Sequence, residues 1–441
     1  MTARRLSILG ACFLGTLACR GRKAQVPAGS LVIAQTPVLS AASSNQRSAL
    51  DARIPPGSRV ILASPPLKPE DVRVLSEGLA AAGEPFVTPD GQRALFTGKK
   101  TPDGAWQIYE VLLGGGEPRA LTSMPGGAAS PALLADGSVV FASPVRGSED
   151  GWFPKDPAAL WALAPGGASP KRLTWGTASA ADPTVLQDGR ILFVSAVPPE
   201  SSPPRVSLFT VYNDGTSVSP YACQHDGSGE IGHPRELPDG RITFLSRTTR
   251  SGRGGVTEMI LPSRPWMSRR ELLPAAVIAE PLFDDPAWDE AERVRTEPRK
   301  RPMGRISTID IAKKSGVIFC IDVDHTTYEP RTRAARVRIL AAGGGGTSRP
   351  LGEVPVHEDG SFMAEVPADV ALGFEALDEA GRVVRRLPPS VWVRPGENRG
   401  CIGCHEPHGL APRNRRPLAV KEPPVAIGLV ARTGSVKRSS P

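Results

Sequence analysis

The sequence predicts an all-β protein, with a five- or six-bladed β-propeller followed by a small immunoglobulin-like β-sandwich. Gly and Pro account for 46 residues each of the 441 and recur as turn dipeptides between short apolar runs, which leaves little room for long helices. A repeat of about 50 residues fills the first half of the chain. The apolar share of 40% is enough for two or three domains with their own cores.

The N-terminus, residues 1–18, is typical of an export signal. Two arginines precede a 13-residue apolar run that ends in a small residue before Cys19. The run from Thr16 to Cys19 approximates a bacterial lipobox, in which the cysteine is acylated after cleavage. We expect a lipidated Cys19 and a periplasmic or cell-envelope location, with plain secretion as the alternative. Residues 19–55, rich in Ala, Ser, Pro and Gln, would then form a lipid-anchored linker.

Four Asp-Gly pairs between alternating hydrophobic residues mark the repeat. They are Asp90-Gly91, Asp136-Gly137, Asp188-Gly189 and Asp239-Gly240, and successive pairs are 46, 52 and 51 residues apart. Asp-Gly in this context predicts a two-residue type I′ hairpin turn, whose central residues both need positive φ. A unit of three or four short strands cannot bury both faces alone. The units are therefore expected to stack radially as blades over residues 56–305.

Residues 306–393 lack the repeat but alternate in short strands separated by polar turns, such as Glu358-Asp-Gly360. This spacing is typical of a small immunoglobulin-like sandwich. We therefore expect a middle β domain that carries the segment after it.

The C-terminal part of the chain is basic. Residues 290–441 carry 25 Lys and Arg against 18 Asp and Glu, a net charge of 25 − 18 = +7. Residues 20–289 carry 26 Lys and Arg against 27 Asp and Glu, a net charge of 26 − 27 = −1. Export and the lack of a recognition motif make nucleic acid an unexpected partner. The alternatives are a solvated basic face and a docking face for an acidic partner protein or anionic lipid head groups. Residues 426–441 are expected to be a flexible basic tail.

The residues Cys401-Ile-Gly-Cys404-His405 form a C-x-x-C-H, the motif that attaches c-type haem. The two-residue spacing lets both thiols reach neighbouring pyrrole edges, and the adjacent histidine then binds iron. We expect one haem c on Cys401 and Cys404, with His405 as proximal ligand, within a haem-binding segment at 394–425. The alternative is a local disulfide or half a zinc site, but the chain has no second cysteine pair to complete the latter.

The remaining cysteines outside the N-terminal segment are Cys223 and Cys320. Because thiols of exported proteins tend to be oxidised, a structural disulfide between them is the first expectation. Two buried thiols, or a metal or redox site, are the alternatives.

The second axial ligand of the iron distinguishes an electron-transfer protein from a haem enzyme. His or Met at this position favours electron transfer, whereas an open position favours catalysis on a bound substrate. His408 is too close to His405 along the chain to reach the other haem face. We choose His233 as the distal candidate, because Pro234 restricts its backbone to extended conformations and lowers the entropy lost on ligation. The other candidates are His225, His325, His357 and Met363.

Two resemblances extend these expectations. The pattern P-x-x-x-x-D-G-x-x-x-x-F resembles the repeat of TolB-like propellers. The segments Trp392-Val-Arg-Pro-Gly-Glu397 and Arg399-Gly-Cys-Ile-Gly-Cys-His-Glu406 resemble the hydrazine synthase alpha-subunit-like proteins. That resemblance implies a TolB-like propeller before a middle β domain that ends in a c-type haem. The alpha subunits carry two c-type haems, whereas this chain has one C-x-x-C-H.

The expected function is that of an exported, lipid-anchored cytochrome whose propeller docks a redox partner protein and whose single haem passes one electron. One alternative is a haem enzyme acting on a small nitrogen or oxygen compound. Another is a non-redox binding lipoprotein of the envelope, in which the haem only joins the domains. The sequence contains no G-x-S-x-G, H-E-x-x-H or G-x-x-x-x-G-K motif, so peptidase and nucleotidase functions lack support.

Overall fold

The fold is nearly all β, as predicted, in a computed structural model of the chain. It describes residues 25–38, 49–145, 158–167, 169–197, 205–223, 230–237, 239–248, 255–261, 273–274, 283–327, 329, 332–343, 347–404 and 414–429. A short α-helix, α1, spans Ala49–Arg53, and 3-10 turns occur at Pro69–Asp71 and Leu418–Lys421. Within these ranges no helix has the length and apolar character needed to cross a membrane.

Five four-stranded antiparallel sheets form the first body of the described chain. The first sheet consists of β1 (Leu31–Pro37), β2 (Arg59–Ala63), β3 (Val72–Val74) and β20 (Trp288–Arg295). The second consists of β4 (Ala81–Val87), β5 (Arg93–Lys99), β6 (Gln107–Leu112) and β7 (Arg119–Ala120). The third consists of β8 (Ala129–Leu133), β9 (Val139–Pro144), β10 (Ala158–Leu163) and β11 (Lys171–Arg172).

The fourth sheet consists of β12 (Ser179–Val185), β13 (Ile191–Val197), β14 (Arg205–Val211) and β15 (Ser219–Cys223). The fifth consists of β16 (Glu230–Glu236), β17 (Ile242–Thr248), β18 (Gly255–Leu261) and β19 (Leu273–Pro274). One edge strand of each sheet contacts that of the next, in the order β20, β4, β8, β12, β16. An ion pair of 2.9 Å between Arg235 of β16 and Glu292 of β20 joins the last sheet to the first. The ring is therefore a five-bladed propeller, and the five edge strands surround its axis.

The first blade closes the ring with strands from both ends of the propeller sequence. β20 pairs with β1 from Leu31, opposite Arg295, to Pro37, opposite Trp288. Both β1 and α1 lie within the predicted linker, residues 19–55, so the propeller extends N-terminal to the predicted boundary at residue 56. No Asp-Gly turn marks β1, and its partner β20 on the inner edge of the blade follows some 250 residues later, so the sequence pattern did not predict this strand.

The four Asp-Gly pairs lie at hairpins between the first two strands of their blades, as predicted, but the turn type differs. Only the glycines have positive φ, between 67° and 85°. In the third blade, the N–H of Gly137 donates to the carbonyl of Leu134, and the N–H of Leu134 donates to the carbonyl of Ser138. This is a three-residue loop, a type I turn followed by a left-handed glycine, instead of a type I′ turn. Asp136 accepts a hydrogen bond from the N–H of Ser138 at 2.9 Å.

The second body is a β-sandwich of two four-stranded sheets. One sheet consists of β21 (Ser315–Cys320), β24 (Phe362–Pro367), β27 (Asn398–Cys401) and β28 (Val425–Ala426). The other consists of β22 (Arg336–Ala342), β23 (Ser348–Pro355), β25 (Leu372–Leu377) and β26 (Val383–Val391). Ile318 and Ala364 from the first sheet share one core with Val337 and Leu372 from the second.

β27 and β28 come from the segment predicted to bind haem, residues 394–425, and each pairs in parallel with a strand of the sandwich. The two ends of this segment are therefore edge strands of the sandwich.

The sandwich docks on the fourth blade through a packed contact. The indole of Trp392 is 3% exposed within the main propeller core, and its Nε1 donates to the carbonyl of Gly215 at 2.8 Å. Glu397 accepts a hydrogen bond from the N–H of Ser217 at 2.8 Å. Arg394 and Arg399 donate to carbonyls in the same propeller loop. These contacts fix the orientation of the C-x-x-C end of the sandwich relative to the propeller.

Candidate functional site

The C-x-x-C motif begins on the last residue of β27. Cys401 lies opposite Cys320 in the parallel pair of β27 and β21. Cys320 is 2% exposed, whereas Cys401 and Cys404 are half-buried and pack against the sandwich core. The motif thiols therefore lie on the border between an apolar core and the surface, where a flat apolar group could be covered on one side.

The backbone of the turn after β21 is hydrogen-bonded to the backbone of the motif at successive residues. The N–H of Ile321 donates to the carbonyl of Cys401 at 3.0 Å, and the N–H of Asp322 donates to that of Ile402 at 3.1 Å. A Cβ at Gly403 would lie 2.1 Å from the carbonyl oxygen of His325, so only glycine permits this approach. The sequence presents Gly403 as a spacer, whereas the structure shows it as the contact point for His325.

The Nε2 of His325 is buried and has no hydrogen-bond partner among the described residues. Most buried polar atoms in native proteins have a partner. His325 is one of the alternative ligands predicted from the sequence, where no local pattern distinguishes it from the other candidates.

The chain after the motif returns to the same end of the sandwich. Leu418 and Ala419 donate backbone hydrogen bonds to Asp359 at 2.9 Å and to Ser361 at 3.0 Å. Burial opposes ionisation of Asp359, but hydrogen bonds from Ser361 and the Leu418 N–H outweigh it and lower the pKa of the carboxyl group. The part of the chain that contains His405 and His408, residues 405–413, lies outside the described residues.

A second cluster of titratable groups lies on the propeller axis. Glu84, Ser130, Asp182 and His233 occupy β-bulges in β4, β8, β12 and β16, where the strand register shifts. Their φ angles are 54°, 56°, 48° and 49°, in the left-handed region that non-glycine residues seldom adopt. The four residues come from equivalent positions of four blades; the side chains of Glu84, Asp182 and His233 contact Arg53 of α1, and Ser130 binds Glu84 and Asp182.

Arg53 fills the centre of this axial cluster. Its Nη2 donates to Glu84 and, at 2.8 Å, to Asp182, and it lies 3.1 Å from Nε2 of His233. Ser130 Oγ donates to Asp182 at 3.0 Å. Burial alone would raise the pKa of Asp182, but the charges of Arg53 and His233 outweigh burial and hold that pKa well below its usual range.

Ligand atoms of Glu84, Asp182 and His233 lie within 4.8 Å of one another, a spacing that could suit a cation. The guanidinium of Arg53 contacts all three groups and supplies the positive charge of this cluster.

The axial cluster contains the residue chosen as distal ligand. Pro234 was expected to hold His233 extended, but His233 has a left-handed backbone with φ 49°. Its Nδ1 lies 3.6 Å from Glu292, and its Nε2 faces Arg53, so binding to iron would require it to leave both contacts. The ligand role of His233 stays a prediction. Its backbone geometry follows the blade repeat, because Glu84, Ser130 and Asp182 adopt the same conformation at the equivalent positions of their blades.

Several other predicted site residues are only partly described. His357 lies in the turn before β24, where its N–H donates to the carbonyl of Ser361, and Met363 is half-buried on β24. Cys19, His225 and His405 fall outside the described residues, as does the side chain of Cys223. The lipid anchor, the Cys223–Cys320 disulfide and the role of His405 therefore stay predictions.

The fold and the site together define a class: a five-bladed propeller joined to a sandwich that carries a C-x-x-C-H at its edge. Residues 326–406 match a family described as the hydrazine synthase alpha subunit middle domain. Hydrazine synthase subunit alpha of Kuenenia stuttgartiensis is 34% identical over 86 residues, which are 20% of this chain and 10% of that protein.

In fold, the similarity extends over most of the chain. A chain of Kuenenia stuttgartiensis hydrazine synthase aligns with a TM-score of 0.68 and 17% identity, over 90% of this chain and 72% of that one. A putative TolB from Agrobacterium tumefaciens aligns at a TM-score of 0.37 and 18% identity, over 47% of this chain and 71% of that one. The predicted resemblance to the hydrazine synthase alpha-subunit-like proteins is confirmed.

Proposed function

We propose that this protein is an exported, lipid-anchored c-type cytochrome that carries one haem on Cys401 and Cys404 and passes single electrons to or from a partner protein. The observation that carries the proposal is the C-x-x-C-H motif at the end of β27, with both motif cysteines half-buried against the sandwich core. The resemblance to the hydrazine synthase alpha-subunit-like proteins supports the same cofactor.

The residues around the motif fit a covalently attached haem. The two thiols are accessible enough to react, and the core behind them is apolar, as an apolar macrocycle requires. Gly403 lets the turn that contains His325 approach the motif, and the Nε2 of His325 has no partner within the part of the chain that the structure describes. A bound haem would supply one-electron chemistry at its iron, with His405 as the adjacent ligand.

The two bodies would divide the remaining tasks. The sandwich holds the redox group at a fixed orientation, because Trp392 and Glu397 tie it to the fourth blade. The propeller offers a rigid platform without a reaction of its own. The excess of positive charge in residues 290–441 favours an acidic partner protein, whose association would be steered electrostatically and weakened by salt.

Covalent attachment is tested by intact mass under denaturing conditions, after expression of the full chain with the c-type maturation machinery. Wild type should keep a haem increment, and the Cys401→Ser/Cys404→Ser double variant should lose it. Cys320→Ala is the matched control, because this third cysteine lies beside Cys401 but outside the motif. A wild-type mass without the increment would contradict the proposal.

The electron-transfer role is tested by redox titration of the loaded protein. We expect one reversible one-electron wave, since the sequence contains one C-x-x-C-H. Membrane attachment is tested separately with Cys19→Ser, which should move the protein from the membrane fraction to the soluble periplasmic fraction. A Cys19→Ser protein that still sediments with membranes would contradict the lipid anchor.

A further inference from the structure

The described part of the chain contains three histidines, and only one of them combines two features that point to a ligand. His233 is engaged by Arg53 and lies 3.6 Å from Glu292 in the axial cluster. His357 lies in a turn that backbone hydrogen bonds close: its N–H donates to the carbonyl of Ser361, and its carbonyl accepts from the N–H of Gly360. His325 alone both touches the C-x-x-C motif and has a buried ring nitrogen without a partner among the described residues.

The position of His325 is fixed by backbone contacts on both sides. Its N–H donates to the carbonyl of Asp322 at 3.0 Å, and Asp322 is itself bonded to the carbonyl of Ile402. The Cβ of His325 lies 3.0 Å from the place where a Cβ of Gly403 would be. The Cβ of His325 therefore lies directly beside Gly403, one of the two residues between the motif cysteines, and the backbone pairing fixes the point from which the imidazole extends.

The ring of His325 keeps one buried nitrogen without a partner among the described residues. A neutral imidazole has one donor nitrogen and one acceptor nitrogen, and burial of either without a partner costs free energy. A buried ring nitrogen without a partner, next to a cofactor motif, is a candidate ligand atom. Neutral imidazole nitrogen is a common ligand of metals, including haem iron.

We infer that His325 is the second axial ligand of the haem iron, together with His405. This inference rests on the proposed function, because it needs a haem on Cys401 and Cys404. It replaces a ligand from the propeller with one from the sandwich, so the complete haem site would lie within a single domain. Ligation by two histidines is suited to electron transfer, because it leaves no open iron position for a substrate.

The test uses the haem-loaded full-length protein and its absorption and electron paramagnetic resonance spectra. Wild type should be six-coordinate and low-spin. His325→Ala should become high-spin, and added imidazole should restore the low-spin spectrum by entering the space left by the side chain. His357→Ala is the matched control, a histidine at the same end of the sandwich, and it should stay low-spin.

His325→Met serves as a second variant in case the alanine variant does not fold. It should stay low-spin with a raised reduction potential, because a Met ligand raises the potential relative to His. A low-spin spectrum of His325→Ala without added imidazole would overturn the inference. So would a wild type that is already high-spin, and that result would favour the haem-enzyme alternative. A wild type that lacks covalent haem would instead overturn the proposed function itself.

Discussion

The propeller axis and the edge of the sandwich each bring titratable groups together in a buried place, and they differ in whether those groups have partners. On the axis, Glu84, Asp182 and His233 surround Arg53, and each has a partner at hydrogen-bonding distance. At the sandwich edge, the Nε2 of His325 has none in the described chain. A satisfied ionic cluster is typical of a structural role, because burial of charge is tolerated only when it is paired.

The two clusters should therefore respond differently to substitution. Removal of one partner from the axis leaves the other charges buried and unpaired, so the cost falls on the stability of the fold. Removal of His325 leaves no polar group without its partner, so the cost should fall on the cofactor.

Arg53→Ala should have the largest effect on stability. It leaves the carboxylates of Glu84 and Asp182, with side chains 4% and 5% exposed, without their cation. We expect a loss of about 3–5 kcal/mol in the free energy of unfolding, measured by urea denaturation. The control is Arg119→Ala, whose side chain is 71% exposed and whose partner Glu110 keeps Arg93; it should cost less than about 1 kcal/mol. Equal losses in both variants would argue against a structural ionic centre.

Gly403→Ala should disturb the motif end of the sandwich. The new Cβ would lie 2.1 Å from the carbonyl oxygen of His325, so the paired backbone must shift, at a cost of about 1–3 kcal/mol. Haem loading should fall with it, as measured by absorbance relative to protein. Gly304→Ala is the matched control, because the nearest atom to its Cβ is 3.8 Å away. Full loading of Gly403→Ala would mean that the motif does not need this close contact.

Trp392→Phe should weaken the contact between propeller and sandwich. The phenylalanine ring keeps most of the apolar packing, but the buried carbonyl of Gly215 loses its hydrogen-bond donor. An unsatisfied buried carbonyl lowers the free energy of unfolding by about 1–3 kcal/mol. We expect the single unfolding transition to broaden or split, as seen by calorimetry. Trp288→Phe is the control, because that half-buried indole lies on β20, outside the interface, and stacks with Arg59. A sharp, unshifted transition in Trp392→Phe would show that this hydrogen bond does not couple the domains.

The smallest expected effect is on the pH dependence of stability. The folded-state pKa of Asp182 lies below its unfolded value of about 4, so its contribution is present at neutral pH and is lost as the pH falls through that value and below. Asp182→Asn should therefore lose less stability than wild type between neutral and acidic pH, in denaturation series at both. Asp71→Asn, at an exposed position, should follow wild type. A parallel acid response of Asp182→Asn and wild type would contradict the prediction.

The sequence alone was sufficient for the local parts of this protein. The Asp-Gly pairs predicted the hairpins because both strands of a hairpin lie within a few residues of the turn, and the alternation after residue 306 predicted the sandwich. The C-x-x-C-H was visible because haem attachment needs fixed spacing along one short segment.

Only the tertiary structure decided which distant residues meet. β1 and β20 close the ring across more than 250 residues, and bulge residues from three separate blades reach Arg53. The neighbouring Pro234 was the reason for predicting His233 as the distal ligand, yet closure of the blade ring places His233 in the axial cluster beside Arg53. His325 gained its importance only through contact with Gly403. These contacts between distant residues depend on how the blades and sheets pack against one another, and the hydrophobic periodicity of the sequence does not predict that packing.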